Sequence, residues 1–304
     1  MGQQHSKRIF RRRKNLDTTS LPSPVATSSS FTKASMFRYK EGRRYHEDES
    51  IPYVLPNDDE GSNFEVPLRE DLEKGHLKVL DAGCGPGTWL FDMAEDFPHC
   101  HFYGIDVAPV FPQGIKPSNV TFALANLTEP LPYPDHHFDY IHQRLLLFGL
   151  TLPQWDVAMQ ELLRVLKPGG WIEFVEIDQE AHNRGPLLKI ITDAMTQMLV
   201  SRNMVPDISE RLVNYMEKYQ LDHIHTTIKD FPMRHSGKVG DLFWDDFQRV
   251  AHAVQPIVSQ THSEWSSSQG YKDYLLSCAD ECTANQTTLS ARSVWAQKPC
   301  VPVH

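Results

Sequence analysis

The chain has 304 residues, 40% of them hydrophobic and 23% charged, with a formal net charge of −9. That length can bury a full core, and the acidic balance argues against general nucleic-acid binding by the folded part. No run approaches the ~18 apolar residues of a membrane span, and no apolar signal segment with a cleavage site opens the chain. The five cysteines lack framework spacing, which fits a reducing compartment and free thiols rather than disulfides or a metal site.

The charge is uneven. Residues 1–14 (MGQQHSKRIFRRRK) carry six of the 30 basic residues and none of the 39 acidic ones. Removal of Met1 would expose Gly2, and Ser6 completes the pattern for N-myristoylation. A single acyl chain holds a membrane only marginally, so the basic cluster would supply the second attraction, toward an anionic surface. The expectation is a tail lipidated at Gly2 on a cytoplasmic, membrane-associated protein. The alternative is a plain basic arm acting as a nuclear localisation signal. Residues 15–50 read as a disordered linker, rich in Ser, Thr and Pro up to Ser35, then charged and aromatic over Met36–Ser50. Residues 51–304 read as one domain.

Within that domain the stretch Val79–Thr88 (VLDAGCGPGT) runs from a buried strand, Lys78–Asp81, into a glycine loop and a helix. Gly83, Gly85 and Gly87 alternate, so the backbone can turn tightly and a ligand can approach it without meeting Cβ atoms. The next strand, His101–Asp106, ends on an acid 19 residues past the last glycine. There a carboxylate can take both hydroxyls of a ribose. A dinucleotide site wants G-x-G-x-x-G before a pyrophosphate, whereas the spacing here is G-x-G-x-G. Asp81 would repel a pyrophosphate but suit the ammonium of a methionine moiety. These features favour S-adenosyl-L-methionine over NAD.

A third strand, Val120–Leu124, ends where an adenine would lie. Asn126 could accept from the adenine amino group, and the Leu127 amide could donate to a ring nitrogen. A Pro-rich loop feeds the strand Phe138–His142, and a Lys-Pro-Gly-Gly turn (Lys167–Gly170) feeds the strand Gly170–Ile177. Strands alternating with helical patterns imply a parallel sheet with right-handed crossovers. Leu221–Phe231 and Thr288–Gln297 read as two further strands. Pro186–Tyr219 and Gly240–Ala279 each offer two helices, whose Met195, Met198, Phe243 and Trp244 read as helix-core packing.

By its VLDAGCGPGT loop, KPSNVTFALAN (Lys116–Asn126), KPGGWIEFVE (Lys167–Glu176) and YVLPNDDE (Tyr53–Glu60), the chain resembles class I S-adenosylmethionine-dependent methyltransferases. More narrowly, it is similar to the fungal LaeA-like group. The resemblance covers roughly Tyr53 to Pro299. It implies an α/β fold with a Rossmann-like, seven-stranded, mostly parallel sheet whose last strand is antiparallel. Helices would cover both faces, helical insertions would roof the substrate pocket, and Tyr53 would lie over the cofactor. One departure stands out: Gly61–Leu77 lacks the R-L-x-x-Q-H helix that covers the cofactor in that group and is short for it.

Methyl transfer needs alignment and desolvation, and a general base only where the acceptor must lose a proton. Ligands of open α/β sheets bind at the carboxyl ends of the strands. His142 and Gln143, Glu176 and Asp178, and then His182 are therefore the candidates. His142 is the preferred base, with a structural histidine as the alternative reading, and Gln143 joins the cofactor set. The expected function is methyl transfer to an unidentified small-molecule or protein acceptor. The alternative is a cofactor-binding regulator that acts through protein partners with little catalysis.

Overall fold

A parallel strand buried on both faces has to be apolar along its length, and the strand sequences here meet that demand at the middle of the sheet. The computed structural model describes residues 63–112 and 114–300, together with the backbone of two short strands, β1 (Phe37–Lys40) and β2 (Arg43–His46). These two pair antiparallel, so the span read as a linker carries a strand pair near its end. Gly2, the basic tail and Tyr53 lie outside the described residues.

The main sheet contains β3 (Lys78–Ala82), β4 (His101–Asp106), β5 (Val120–Leu124), β6 (Phe138–Arg144), β7 (Leu166–Ile177), β8 (Asp222–Pro232) and β9 (Thr288–Gln297). Their order is β5-β4-β3-β6-β7-β9-β8. The five strands from β5 to β7 run parallel, and β9 is antiparallel to both of its neighbours. This is the expected mostly parallel sheet with an inverted last strand. Two boundaries differ from expectation. β6 runs on to Arg144, and β7 begins at Leu166, with the Lys167–Gly170 turn held inside it as a bulge opposite Phe138–Tyr140.

Helices cover both faces. On one, α1 (Arg69–Lys74) and α2 (Thr88–Asp96) bury Leu72, Trp89, Leu90 and Met93 against Val79, Phe102, Val120 and Tyr140. On the other, α3 (Leu152–Val165) and α5 (Ile208–Lys218) pack Met159, Leu162, Leu212 and Met216 against Leu80, Ile141, Ile172 and Val294. The start of α3 follows from its sequence: the Gln154 side chain reaches back to accept from the Thr151 N–H at 2.9 Å.

A third apolar cluster sits past the carboxyl end of β7. There α4 (Pro186–Ser201), α6 (Lys238–Thr261) and α7 (Ser268–Asn285) pack together and onto Met233 and Leu289. These are the expected helical insertions, and they form a roof. No helix among the described residues is long and apolar enough to cross a membrane.

Candidate active site

The glycine loop takes its shape from β4. The Gly83 and Cys84 amides both donate to the Ile105 carbonyl, at 2.8 and 2.9 Å, and the Gly87 amide donates to the Cys84 carbonyl. The Gly85 amide donates to Asp106 Oδ2 at 2.9 Å. Since Pro86 has no N–H, every amide from position 83 to 87 is already used within the protein. The loop's amides are therefore spent on holding its own shape.

The three glycines do different work. A Cβ on Gly87 would lie 2.5 Å from Phe122 Cζ, and one on Gly83 would lie 2.8 Å from Leu146 Cδ2. Phe122 cannot easily yield, because it is stacked on Phe111 at 4.9 Å and meets Phe91 edge-on. A Cβ on Gly85 would meet nothing within 4 Å. Gly87 is thus required by packing, Gly83 by its left-handed backbone (φ +77°) against the yielding end of Leu146, and Gly85 alone leaves a cradle that a ligand could use.

Asp106 stands beside that cradle. One carboxylate oxygen takes the Gly85 amide and the other takes the Ala108 amide, each at 2.9 Å. Each oxygen keeps a second lone pair, so the two hydroxyls of a ribose can still be accepted. The residues present therefore fit the nucleoside half of S-adenosylmethionine.

Asp81 commits one carboxylate oxygen to a partner within the protein. It is buried beneath the loop at 4% exposure, and its Oδ1 lies 3.0 Å from His142 Nδ1. That oxygen is directed to the histidine, which leaves Oδ2 as the atom that could meet a ligand's ammonium. His142 is itself buried, stacked on Trp89 with ring centroids 3.9 Å apart. A side chain enclosed in this way does not reach an acceptor, so the geometry favours the structural reading of His142 over the base.

The pairing is a property of sheet register: Asp81, His142 and Glu173 are neighbours across β3, β6 and β7. Glu173 Oε2 completes the row by accepting from Tyr140 Oη at 2.7 Å and the Glu65 amide at 3.1 Å. Burial pushes the Glu173 carboxyl up, an effect that nearby His142 opposes. Trp89, Tyr140 and Glu173 were not singled out from the sequence. An indole at the second position of a helix that follows a glycine loop is the signal that could have flagged the stack.

Gln143 lies inside β6 on the opposite face of the sheet, fully buried, and donates to Glu176 Oε1 at 2.9 Å. Its Nε2 is thereby committed to the protein, while its Oε1 is buried with no partner among the described residues. Glu176 additionally accepts from the amides of Leu146 and Leu147, at 2.7 and 3.2 Å, and so pins the segment after β6. Burial raises its pKa to about 7 despite those three donors.

Asn126 is engaged too: its Oδ1 accepts from both the amide and the hydroxyl of Thr128, at 3.0 and 2.9 Å. The acceptor atom expected to meet an adenine amino group already holds a local turn. The Leu127 amide donates to no group among the described residues, so it remains free for a ring nitrogen. Asp178 is paired with Arg292 through two bonds, and His182 Nε2 lies 3.1 Å from Ser290 Oγ. No cluster of metal-ligating side chains occurs among the described residues.

Next to the loop lies a cavity of about 280 Å³, bounded below by Leu145, Leu147 and Ile177 and above by α4 and α6. Leu146 is the partition: it packs on Gly83, while its two neighbours face the cavity. Of the roof residues read as core, Met195 and Phe243 line this cavity, whereas Met198 and Trp244 stay in the roof's own core. Asp246, on the cavity wall, was missed. Its spacing with Phe243, Phe247 and Val250 puts a carboxylate on an otherwise apolar helix face, a signal legible in the sequence.

Residues 79–170 match the family model of a methyltransferase domain. The chain is similar to the N-methyltransferase sirN of Leptosphaeria maculans, at 32% identity over 133 residues, covering 42% of this chain and 47% of that protein. It is also similar to the secondary metabolism regulator LAE1 of Cochliobolus heterostrophus, at 31% identity, covering 46% of this chain and 51% of that protein. Among solved structures, phosphoethanolamine N-methyltransferase 2 of Haemonchus contortus in complex with S-adenosyl-L-methionine shares 16% identity. That match covers 79% of this chain and 55% of the other, with a TM-score of 0.48. The chain spans about half the length of the curated relatives it matches.

Proposed function

We propose that this chain, whose residues 79–170 match a methyltransferase domain, is a class I S-adenosylmethionine-dependent methyltransferase of the LaeA-like group that methylates a small molecule held in the cavity beside the glycine loop. S-Adenosyl-L-methionine, when bound, supplies an electrophilic sulfonium methyl to a nucleophile aligned behind it. The protein's part is to bind and align. Asp106 accepts the ribose hydroxyls, the Leu127 amide meets the adenine edge, and Gly85 allows close approach of the backbone. The apolar cavity holds the acceptor away from water.

The observation that carries this reading is the segment after β6, in which Leu146 packs on Gly83 of the loop while Leu145 and Leu147 line the apolar cavity. Calorimetric titration with S-adenosylmethionine tests it. Asp106→Asn keeps one carbonyl acceptor for the loop but removes the carboxylate, and affinity should fall at least about tenfold, the loss of one charged hydrogen bond. Equal affinity in wild type and variant would refute the assignment.

A second reading, a regulator that binds the cofactor with little turnover, is favoured by α1. This helix has only six residues, short for the helix that covers the cofactor in the LaeA-like group. Its signature would be cofactor binding without methyl transfer to any acceptor tested. For the tail, we propose acylation at Gly2 with the adjacent basic cluster attracted to an anionic membrane. Gly2→Ala should abolish membrane association, and retained association would refute the anchor.

A further inference from the structure

We infer that Asp246 is the specificity residue of the acceptor cavity and that the acceptor is an apolar, ring-sized molecule carrying a protonated nitrogen. This inference rests on the assignment of the cavity as the acceptor site.

The argument starts from the wall of the cavity. Leu145, Leu147, Phe148, Phe243, Phe247 and Val250 make it strongly apolar. Its volume of about 280 Å³ suits one small molecule. Most polar side chains on the wall are already satisfied. Asp178 holds Arg292, and Gln179 donates to Thr196 Oγ1 at 2.8 Å. Thr192 donates to the Lys189 carbonyl.

Asp246 is different. Its Oδ1 accepts from Arg249 at 2.9 Å, while its Oδ2 is buried with no hydrogen-bond partner among the described residues. A carboxylate oxygen left bare in an apolar cavity is costly, and a ligand that brings a donor removes that cost. Burial pushes the Asp246 carboxyl up, with Asp245 acting in the same direction and Arg249 opposing. Dehydration of this group has therefore already been incurred in folding, before any ligand arrives.

A cationic nitrogen is the donor class that gains most. It offers a charge-assisted bond to the ionised carboxylate, roughly twice as strong as a neutral donor could make. A protonated nitrogen has no lone pair and cannot be the methylated atom. Asp246 thus fixes the orientation of the acceptor by holding a group other than the reacting one. Neutral molecules of the same shape would fill the cavity but leave Oδ2 bare.

The test uses matched pairs of small probes at pH 7.5: tryptamine against tryptophol, and 2-phenylethylamine against 2-phenylethanol. Affinities are measured by calorimetry on the full-length protein. Wild type should prefer each amine over its alcohol by about tenfold, the worth of one charged hydrogen bond. Asp246→Asn should erase the preference with its melting temperature not lowered, because it removes a buried charge. An amine preference that persists in Asp246→Asn, a preference for the alcohols, or binding of neither class overturns the inference. S-Adenosylhomocysteine is titrated separately into both proteins. Loss of that binding in wild type would refute the methyltransferase reading while leaving the amine result to stand or fall by itself.

Discussion

Alanine at Gly85 and at Gly87 should separate binding from folding. At Gly87 (φ +79°) the new Cβ sits 2.5 Å from Phe122 Cζ, and Phe122 is clamped between Phe111 and Phe91. The left-handed backbone costs roughly 1–2 kcal/mol and overpacking roughly 1–3 more. At about 2–4 °C per kcal/mol for a domain of this size, Gly87→Ala should melt about 4–20 °C early. At Gly85 (φ +52°) only the backbone cost applies, because nothing lies within 4 Å. Its melting temperature should fall by only a few degrees, about 2–8 °C.

The order reverses for binding. The methyl introduced by Gly85→Ala would protrude into the space left for the cofactor, at roughly 1–3 kcal/mol of overpacking, or about 5- to 150-fold in affinity. Differential scanning calorimetry gives the first quantity and titration with S-adenosylhomocysteine the second. The reasoning is refuted if Gly85→Ala binds as tightly as wild type, or if Gly87→Ala is no less stable than Gly85→Ala.

Glu176 folds with its pKa raised by burial from 4.5 to about 7. Between those values the native state keeps a proton that the unfolded chain has released. The contribution to stability is full below pH 4.5 and is lost as pH rises through 7, in all about 3 kcal/mol. Glu176→Gln should flatten urea-unfolding stability over that window, leaving the slope that Glu173 contributes in the same direction; an unchanged slope would show that Glu176 is not the group responsible. His142→Ala removes the ring stacked on Trp89 and leaves Asp81 buried without its partner, at about 3 kcal/mol. The melting temperature should fall while the affinity of the folded protein for S-adenosylhomocysteine holds; unchanged melting would mean that the stack contributes little. Of the five cysteines only Cys300 is exposed, and burial pushes the thiols of Cys278 and Cys282 up to about 12. A native thiol assay should therefore count one fast-reacting group and a denatured one five, and several fast groups in the native protein would contradict the burial.

The sheet was legible because its central strands are continuous apolar runs, and the glycine loop was legible because its spacing constrains the backbone directly. The polar residues inside those strands have partners that the sequence does not display. A polar residue near a strand's carboxyl end looks the same in sequence whether it faces a ligand or a buried partner. Asp81 and His142 meet only through the register of β3 on β6, and Gln143 meets Glu176 only through that of β6 beside β7. Asn126 was assigned to adenine because its side chain can accept, but the turn to Thr128, two residues away, takes that acceptor first. Asp246 shows the opposite case. Its place on an apolar helix face was readable, but helix packing explained its neighbours well enough that the carboxylate among them drew no attention.

The position of β9 has a consequence for how the chain is made. It is the last strand in chain order, yet it sits inside the sheet, between β7 and β8. During synthesis the five parallel strands can assemble in sequence as they emerge, but β8 has no sheet neighbour until β9 arrives more than fifty residues later. Until then the flank of β7 is an open edge, and the roof helices lack the Leu289 surface they pack on. The nascent chain must therefore pass through a stage in which half of the eventual acceptor site is built and the sheet is still open, exposed to mispairing with other chains.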